Sequence, residues 1–423
     1  MTSSDVDVVI IGAGAAGLSA ARAARSKGLS FVLLEASHRI GGRAYTEDLA
    51  PGQPFDLGCH WLHSASLNPF TGIADKLEFH YRKDVAWRTH VVSAEGAFAT
   101  ERDREAIQAE GASNEAAIAA AVARGLDVAI ADVIDANGRW APLHRYWYSL
   151  GSSHDVDEVS VVDVVAYNDT RENWPVREGY GALVARWAAD VPVTLNAAAR
   201  HVRWGGDGVA VECAKGTVRG RCLLVTVSSS ILSAGHITFD PPLPDWKLAA
   251  AAALPLGVHN RIAITLNRDP FGPHAGRSVT VMGEGDEPPM AILLRPFGFD
   301  YVVGVTGGRF AAWLERAGSA ASVDYLKERL AKVFGNDVRN AFAARSLVTA
   351  WQGDGWTLGS YSAATPGNGH QRKALARSID DILFFAGEAT SSDFFATCHG
   401  AYLSGLAAIE DIAMTKTLTR HSA

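Results

Sequence analysis

The stretch Val6–Gly17 reads VDVVIIGAGAAG and determines the fold class of the N-terminal part of the chain. Its first six residues are mostly apolar and β-branched, which predicts a buried strand of a parallel sheet. The glycine-rich turn leads into a predicted helix, Leu18–Lys27, which ends at Gly28, and then into a second strand, Phe31–Leu34. The pattern therefore predicts a βαβ unit of about thirty residues.

The glycines of this turn and the acidic residue after the second strand suit a bound dinucleotide. Gly12 permits the tight turn, Gly14 leaves room for a pyrophosphate, and Gly17 lets helix and strand pack closely. The start of the helix, which includes Ala16, offers free N–H groups and a positive dipole end to phosphates. Glu35 follows Gly17 by 18 residues, where a carboxylate can accept hydrogen bonds from ribose hydroxyls. We therefore predict dinucleotide binding.

The composition indicates a globular chain with more than one domain. Of the 423 residues, 48% are hydrophobic and 20% charged, which excludes disorder, and the length suggests two or three domains. The apolar runs Val8–Ser19 and Leu248–Val258 are shorter than a membrane span, so no membrane partner is expected. The formal charge of −7 argues against a nucleic-acid partner. Scattered cysteines predict no metal site, and without a signal peptide the chain is expected to be cytoplasmic.

The segment Glu35–Arg43, EASHRIGGR, resembles the extended fingerprint of the flavin-dependent amine oxidases, which include polyamine oxidases, monoamine oxidases and histone lysine demethylases. The resemblance implies FAD, with the turn at Gly41 and Gly42 passing its pyrophosphate and Arg43 pairing with charge there. In that family the residue after Glu-Ala is often Arg. This chain has Ser37 instead, so one phosphate contact of the family is expected to be missing.

A second segment, Phe55–His63 (FDLGCHWLH), resembles the polyamine-oxidase turn that runs beside the flavin ring. The resemblance places His63 near the substrate, whereas a lone histidine is more commonly a satisfied surface or core group. It also assigns four residues to the cofactor: Gly58, Cys59, His60 and Trp61.

Two central segments resemble the parts of the family that face adenine and the flavin N5. In relatives a valine contacts adenine through its backbone, and Val202 holds that position. The segment Leu256–Ile264, LGVHNRIAI, resembles one in which the family carries a lysine that holds a water against N5. This chain has Arg261 there, which implies slower reaction with O₂ or another electron acceptor. A register error of one residue would place Asn260 or His259 at this position.

The C-terminal segments carry the strongest resemblance. Phe384–Glu388 is predicted as a strand that ends in Gly387 and Glu388, placed to bond the ribityl hydroxyls. Thr397–Ala401 is predicted to begin a helix whose N–H groups hold the flavin C2 carbonyl. The resemblance also assigns three further residues to the cofactor, with core packing as the alternative for the tryptophan: Trp356, Cys398 and Ala401.

The same region implies an aromatic cage and a non-covalent cofactor. Tyr361 aligns with one wall of the cage seen over the flavin in relatives. Thr397 aligns with the second wall, which is tyrosine in monoamine oxidases and threonine in many polyamine oxidases. Ser360 replaces the cysteine to which monoamine oxidases attach FAD. We therefore expect non-covalent FAD.

These segments together predict an α/β fold class, with a discontinuous Rossmann-type FAD-binding domain and an α+β substrate-binding domain. The FAD-binding domain is predicted at 3–75, 190–258 and 377–415, and the substrate-binding domain at 76–189 and 259–376. In the latter, Glu101–Ala136 is predicted as helices broken at Gly111 and Gly125. Short strands between 279 and 305 are predicted to form an antiparallel sheet.

The predicted function is FAD-dependent oxidation of an amine, with a polyamine as the expected substrate. Hydride transfer to flavin N5 gives an imine that hydrolyses to an aldehyde and an amine, and O₂ or another acceptor reoxidises the flavin. The candidate catalytic residues are His63, Arg261, Tyr361 and Thr397. Two alternatives stay open: an L-amino-acid oxidase, whose substrate carboxylate would pair with Arg261, and an FAD-binding protein without oxidase activity. The specific amine, the C–N bond that is cut and the oligomeric state are not decided by the sequence.

Overall fold

The computed structural model describes residues 6–83, 89–93 and 96–415. Within these ranges the strands are β1 (Val6–Ile11), β2 (Phe31–Leu34), β3 (Thr46–Ala50), β4 (Gln53–Asp56), β5 (Trp61–His63), β6 (Thr89–Val92), β7 (Asn173–Pro175), β8 (Ala199–Gly205), β9 (Gly208–Cys213), β10 (Gly216–Val225), β11 (Thr238–Asp240), β12 (His259–Leu266), β13 (Ser278–Val281), β14 (Met290–Leu294), β15 (Tyr301–Gly307), β16 (Phe342–Val348) and β17 (Leu383–Phe385).

The α-helices are α1 (Ala15–Ser26), α2 (Pro69–Lys76), α3 (Glu101–Ala123), α4 (Ala141–Ser152), α5 (Val161–Ala166), α6 (Tyr180–Trp187), α7 (Ser229–Ser233), α8 (Asp245–Ala252), α9 (Gly308–Ala317), α10 (Ser319–Phe334), α11 (Gln371–Ala376) and α12 (Cys398–Met414). In the described part of the chain, none of these helices combines the length and apolar character that a membrane crossing requires.

The predicted N-terminal βαβ unit is present, and its strands belong to a seven-stranded sheet. The order along this sheet is β11-β8-β9-β10-β1-β2, and β17 pairs with β10. Strands β2, β1, β10 and β17 run parallel. Their carboxyl ends therefore meet at one edge, which is where open α/β sheets bind their ligands.

Strand β10 joins the antiparallel part of this sheet to its parallel part. Its residues Gly216–Gly220 pair antiparallel with β9, which pairs antiparallel with β8 in turn. From Gly220 to Val225 the same strand pairs in parallel with β1. One continuous strand therefore belongs to both the antiparallel and the parallel part of the sheet.

The first and last helices of the described chain pack against each other beside this sheet. Ser19 of α1 donates a hydrogen bond to the carbonyl oxygen of Tyr402 in α12 at 2.8 Å. The contact is so close that a Cβ on Gly405 would lie 2.1 Å from the carbonyl oxygen of Ala16. Fully buried Leu18 and Ile409 belong to the same core cluster as Val8. The two ends of the chain thus build one domain.

A second sheet of six strands has the order β16-β12-β15-β14-β13-β6. Its pairs are antiparallel except for the parallel pair β13–β6, which confirms the predicted antiparallel sheet. Its core includes Ile264, Val279 and, from α10, Leu326. The strands of the two sheets fall inside the predicted domain segments, while the domain boundaries themselves stay predictions.

The prediction of a helix break at Gly111 is wrong. Helix α3 runs unbroken from Glu101 to Ala123 and ends just before Gly125, whose φ is +77°. A Cβ on Gly111 would lie 3.0 Å from Cε1 of His144 in α4. This glycine therefore permits a close contact between helices, a role that its place in the sequence does not distinguish from a break.

Candidate active site

The glycine-rich turn after β1 has the geometry of a phosphate cradle. Gly12 has a φ of +101°, in the region that favours glycine. A Cβ on Gly17 would lie 1.9 Å from the Gly12 carbonyl oxygen, so α1 begins tightly against the turn. By contrast, a Cβ on Gly14 would meet no atom of the described residues within 4 Å, and no side chain caps α1 at this residue. The first N–H groups of α1 therefore border open space.

Glu35 is buried at the end of β2, directly beside this turn. Its carboxylate accepts hydrogen bonds from the backbone N–H groups of Ala13 at 2.6 Å and Ser37 at 2.8 Å. These bonds fix the carboxylate at the sheet edge and leave it further acceptor capacity. The predicted role of Glu35 in binding ribose fits this position.

Arg43 and Glu388 meet at the same sheet edge, although they are far apart in sequence. Arg43 Nη1 donates to Glu388 Oε1 at 2.9 Å and to the carbonyl oxygen of Ser360 at 2.7 Å. Burial raises the pKa of Glu388, but the charges of Arg43 and Arg372 outweigh it and hold this pKa below its usual value. Arg43, Gly387 and Glu388 line one crevice with the ends of β10 and β17.

The backbone borders open space at two glycines of this region. Gly387 has a φ of +145°, and a Cβ there would meet no described atom within 4 Å, as at Gly14. Gly41 pairs with Gly14 in an isolated β-bridge. A Cβ on Gly42 would lie 3.4 Å from the Cα of Gly14. The residues predicted to hold the pyrophosphate therefore lie together, and they fit an extended dinucleotide cofactor.

The predicted ring-side turn, Gly58–Trp61, lies next to the phosphate-side residues. A Cβ on Gly58 would lie 1.9 Å from the carbonyl oxygen of Arg43, so only glycine fits. The Cys59 thiol contacts that of Cys398, and both cysteines are free. His60 Nδ1 hydrogen-bonds Asp56 Oδ2 at 2.9 Å, whereas its buried Nε2 has no partner among the described residues. An unsatisfied buried nitrogen on this turn is a position for a bound group to complete.

Arg261 lies buried beside this turn, and no described carboxylate forms an ion pair with it. The residue is 9% exposed, and its Nη1 makes one long bond of 3.4 Å to the Asp56 carbonyl oxygen. Its buried Nε has no partner in the described chain. Burial lowers the pKa of Arg261 and the charge of Asp56 raises it, and an arginine stays protonated near neutral pH. The turn therefore has a buried positive charge beside it, which Asp56 compensates only at a distance.

The register of β12 decides between Arg261 and its neighbours. The Asn260 amide points the other way, donating to Glu315 Oε2 at 2.7 Å and accepting from Thr349 Oγ1 at 3.1 Å. Because side chains alternate along a strand, Arg261 and His259 share the opposite face. The structure thus places Arg261, and not Asn260, beside Asp56.

The hydroxyl of Tyr361 has two hydrogen-bonding neighbours. The hydroxyl donates to the Leu150 carbonyl oxygen, and His259 Nδ1 lies 2.9 Å from it. The Tyr361 oxygen is therefore free to accept from a neutral His259 that carries its proton on Nδ1. Burial raises the pKa of Tyr361 and, with the charge of Arg261, lowers the pKa of His259 to about 3.

Internal hydrogen bonds fix Thr397 at the start of α12. Thr397 is the N-cap of this helix, which begins where the sequence predicts. Its hydroxyl accepts from the Gly400 N–H at 3.0 Å and donates to the Phe394 carbonyl oxygen at 2.6 Å. Thr397 therefore positions the helix start, including Cys398 and Ala401, and its place as the second wall of the cage stays a prediction.

The prediction that the Val202 backbone contacts adenine does not fit its position. Val202 is fully buried in the middle of β8, paired with Val211 of β9 and Phe239 of β11. Its backbone therefore faces a neighbouring strand on both sides. Arg200 at the start of β8 instead borders a surface cavity with Trp356, which is 45% exposed and so does not fit the core-packing alternative.

His63 lies among further histidines, of which the sequence indicated only some. His63 Nδ1 pairs with Asn173 Oδ1 across the β5–β7 strand pair, and burial lowers the pKa of His63. His399 lies in the predicted helix start Thr397–Ala401, but the sequence indicates no role for it. It is 1% exposed, packs on Phe394 with ring centroids 4.8 Å apart, and has its pKa lowered by burial to about 3. These side chains are neutral bases near neutral pH.

The depressed histidine pKa values predict a loss of stability in mild acid. His259 and His399 titrate at about 3 when folded, against about 6.5 when unfolded. Their contribution is complete above pH 6.5 and is lost as the pH falls towards 3, because the unfolded chain takes up protons first. We expect the free energy of unfolding to fall by roughly 2 kcal/mol per histidine between pH 6.5 and 5.

Denaturant titrations across that pH range measure this slope, and His399→Phe provides the comparison because it removes one of these groups. The variant should lose the part of the pH dependence that His399 contributes, on the order of one proton. A slope identical to that of the wild type would show that His399 is not a buried neutral histidine.

The comparisons with known proteins agree with this geometry. The family model "Flavin containing amine oxidoreductase" matches residues 142–413, and an NAD(P)-binding Rossmann-like domain matches 10–77. Polyamine oxidase 4 from Oryza sativa subsp. japonica is 28% identical over 97% of this chain and 89% of its own length. Probable polyamine oxidase 4 from Arabidopsis thaliana is 27% identical over 96% and 86%.

A solved structure of putrescine oxidase bound to putrescine has the same fold, with a TM-score of 0.79 at 20% identity, covering 97% of this chain and 99% of that chain. The first family model spans well over half of the sequence, and the second matches the dinucleotide-binding βαβ unit. The chain therefore belongs to the family of flavin-containing amine oxidoreductases, and its cofactor is FAD.

Proposed function

We propose that this chain oxidises a polyamine-like amine, removing a hydride from the carbon next to a neutral nitrogen. The imine product then hydrolyses to an aldehyde and a smaller amine. Bound FAD supplies the hydride acceptor, and the protein must orient the substrate, exclude water and favour the neutral amine. The observation that carries the proposal is the buried charge of Arg261, which forms no ion pair with a described residue, among neutral histidines.

The electrostatics of the site favour a neutral reacting nitrogen. Arg261 lowers the pKa of His60, His63 and His259 through its charge, and burial lowers them further. The same two effects disfavour a protonated amine at this place, because the charged form of any base is penalised there. The substrate therefore enters the reacting position without its extra proton.

The buried carboxylates at the site are committed to internal bonds. Asp56 accepts from the backbone N–H groups of Tyr180 and Gly181, at 3.1 Å and 3.2 Å, as well as from His60. Glu388 is held by Arg43 and by Ser362 Oγ at 2.7 Å. Neither is available as a general base, in agreement with a hydride transfer that needs none.

His63 is the candidate for binding the substrate. With its Nδ1 proton donated to Asn173, its Nε2 is left as an acceptor for an amine N–H. Exposed Asp169 acts electrostatically on His63 and raises its pKa against the effect of burial. A carboxylate near His63 suits a second, protonated nitrogen, which favours a polyamine over a simple monoamine.

Anaerobic titration of the purified holoenzyme tests the proposal. Spermidine is expected to bleach the flavin absorbance, while leucine at the same concentration leaves it unchanged. Admitting air afterwards measures whether O₂ reoxidises the flavin. Bleaching by leucine alone would favour an amino-acid oxidase, and bleaching by neither compound would contradict the proposed substrate class.

A further inference from the structure

Two thiols meet where the turn Gly58–Trp61 contacts the start of α12. Cys59 lies in this turn, and its N–H donates a hydrogen bond to the Arg43 carbonyl oxygen at 3.0 Å. Cys398 is the first residue of α12. The thiols of Cys59 and Cys398 contact each other, and neither belongs to a disulfide. The contact therefore joins an N-terminal and a C-terminal segment of the chain.

The packing around this thiol pair distinguishes it from the other two cysteines. Cys398 belongs to the core cluster that also contains Tyr180, and Cys59 packs against the same cluster. Cys398 is buried, whereas Cys59 is partly exposed. The thiols of Cys213 and Cys222 donate instead to backbone carbonyl oxygens, both at 3.4 Å. Cys59 and Cys398 are therefore the cysteines that are placed to react with each other.

The groups around Cys59 favour its thiolate, which is the nucleophilic form of a cysteine. The hydrogen bond from the Cys398 thiol lowers the pKa of Cys59 below its usual value. The positive charges of Arg43 and Arg261 lower it further, while burial and the charge of Asp56 oppose them. Burial raises the pKa of Cys398, which therefore keeps its proton. A partly exposed thiolate beside a second thiol is typical of cysteines that respond to oxidants.

We propose that Cys59 and Cys398 are a modification site, at which hydrogen peroxide forms a disulfide between the turn and α12. The Cys59 thiolate attacks one oxygen of the peroxide, the O–O bond breaks, and Cys59 becomes a sulfenic acid while hydroxide leaves. The Cys398 sulfur then attacks the Cys59 sulfur, the S–O bond breaks, and the oxygen takes up the Cys398 proton and leaves as water. Overall the two thiols lose two electrons and two protons, and the peroxide becomes two molecules of water.

This disulfide ties together the two segments that the sequence assigns to the flavin ring. Because one segment is close to the N-terminus and the other begins α12, a covalent bond between them limits their separation. Release of bound FAD is therefore expected to be severalfold slower from the oxidised protein than from the reduced one. The inference goes beyond the proposed amine oxidation, and its test adds peroxide from outside and needs no amine turnover.

Thiol titration and intact mass spectrometry test the site. The holoenzyme is treated with hydrogen peroxide, freed of excess oxidant and denatured without reductant. The four thiols of the wild type should fall to two, with the loss of two hydrogen atoms in mass and a peptide that links Cys59 to Cys398 after digestion. Cys59→Ala should keep its remaining thiols, and the matched control Cys213→Ala should lose the same two as the wild type. Dithiothreitol should restore both thiols and the original rate of FAD release, which flavin fluorescence after dilution measures.

Three results would overturn the inference. One is a wild-type protein that keeps its four thiols or gains oxygen without forming the linked peptide. Another is an equal loss of thiols in Cys59→Ala, and the third is an unchanged rate of FAD release after the disulfide has formed. Circular dichroism checks that each variant is folded, and Cys398→Ala, which should also keep its remaining thiols, replaces Cys59→Ala if that variant does not fold.

Discussion

Gly14→Val is expected to give a folded protein that purifies with little or no flavin. A Cβ at Gly14 meets no described atom within 4 Å, and its backbone is extended, so valine fits the polypeptide. The same side chain would occupy the space beside the first N–H groups of α1. An overlap of this kind costs about 1–3 kcal/mol, which weakens FAD binding by about ten- to hundredfold. The ratio of flavin absorbance to protein absorbance measures the effect.

Gly72→Val is the matched control for this prediction. Gly72 is an exposed glycine of α2, and a Cβ there also meets no described atom within 4 Å. Its variant should keep the wild-type flavin content. A yellow Gly14→Val protein with a full flavin complement would show that the cofactor phosphates do not lie at this turn.

Arg261→Met is expected to stabilise the protein and to slow the reduction of its flavin by an amine. Arg261 is a buried cation that forms no ion pair with a described residue, and an apolar side chain of similar length removes the cost of burying that charge. We expect the free energy of unfolding to rise by about 1–2 kcal/mol. Loss of the positive charge at the site should slow anaerobic reduction on the order of 100-fold.

Arg329→Met separates the effect of position from the effect of removing a buried arginine. Arg329 is 1% exposed but pairs with Glu287 at 2.6 Å and donates to the Met282 carbonyl at 3.1 Å. Its replacement leaves these partners unpaired and should destabilise the fold by about 3–5 kcal/mol. Its effect on flavin reduction should be small.

Arg261→Lys then tests the predicted link to oxygen. If the position is the one that lysine holds in relatives, this variant should be reoxidised by air faster than the wild type in stopped-flow absorbance. Unchanged reoxidation would count against that assignment. Reduction of Arg261→Met at the wild-type rate would exclude Arg261 from the chemistry altogether.

The cofactor end of the site is the part that the sequence predicts best. Backbone geometry within one short segment requires Gly12, Gly14 and Gly17, so their spacing alone predicts the phosphate-binding turn. The contact of Arg43 with Glu388 joins residues that are 345 positions apart. The sequence does not predict this contact, because no local rule indicates which distant segments meet at a sheet edge.

The remaining differences arise where one residue type serves either a local or a tertiary role. The hydroxyl of Thr397 caps α12, which is a local role beside the predicted cage position. The pairing of β11 with β8, which encloses Val202, does not follow from periodicity. Gly111 is similar, since only the packing of α4 shows why glycine is needed there.

The packing of α1 against α12 has a consequence for biosynthesis. Gly387, Glu388 and α12 are synthesised long after the nucleotide-binding turn, because almost the whole described chain lies between them. Flavin loading must therefore wait until α12 has been made, and a nascent chain arrested before residue 383 would expose half of an unfinished pocket. Such late closure makes the growing polypeptide dependent on quality control until its C-terminal helix docks.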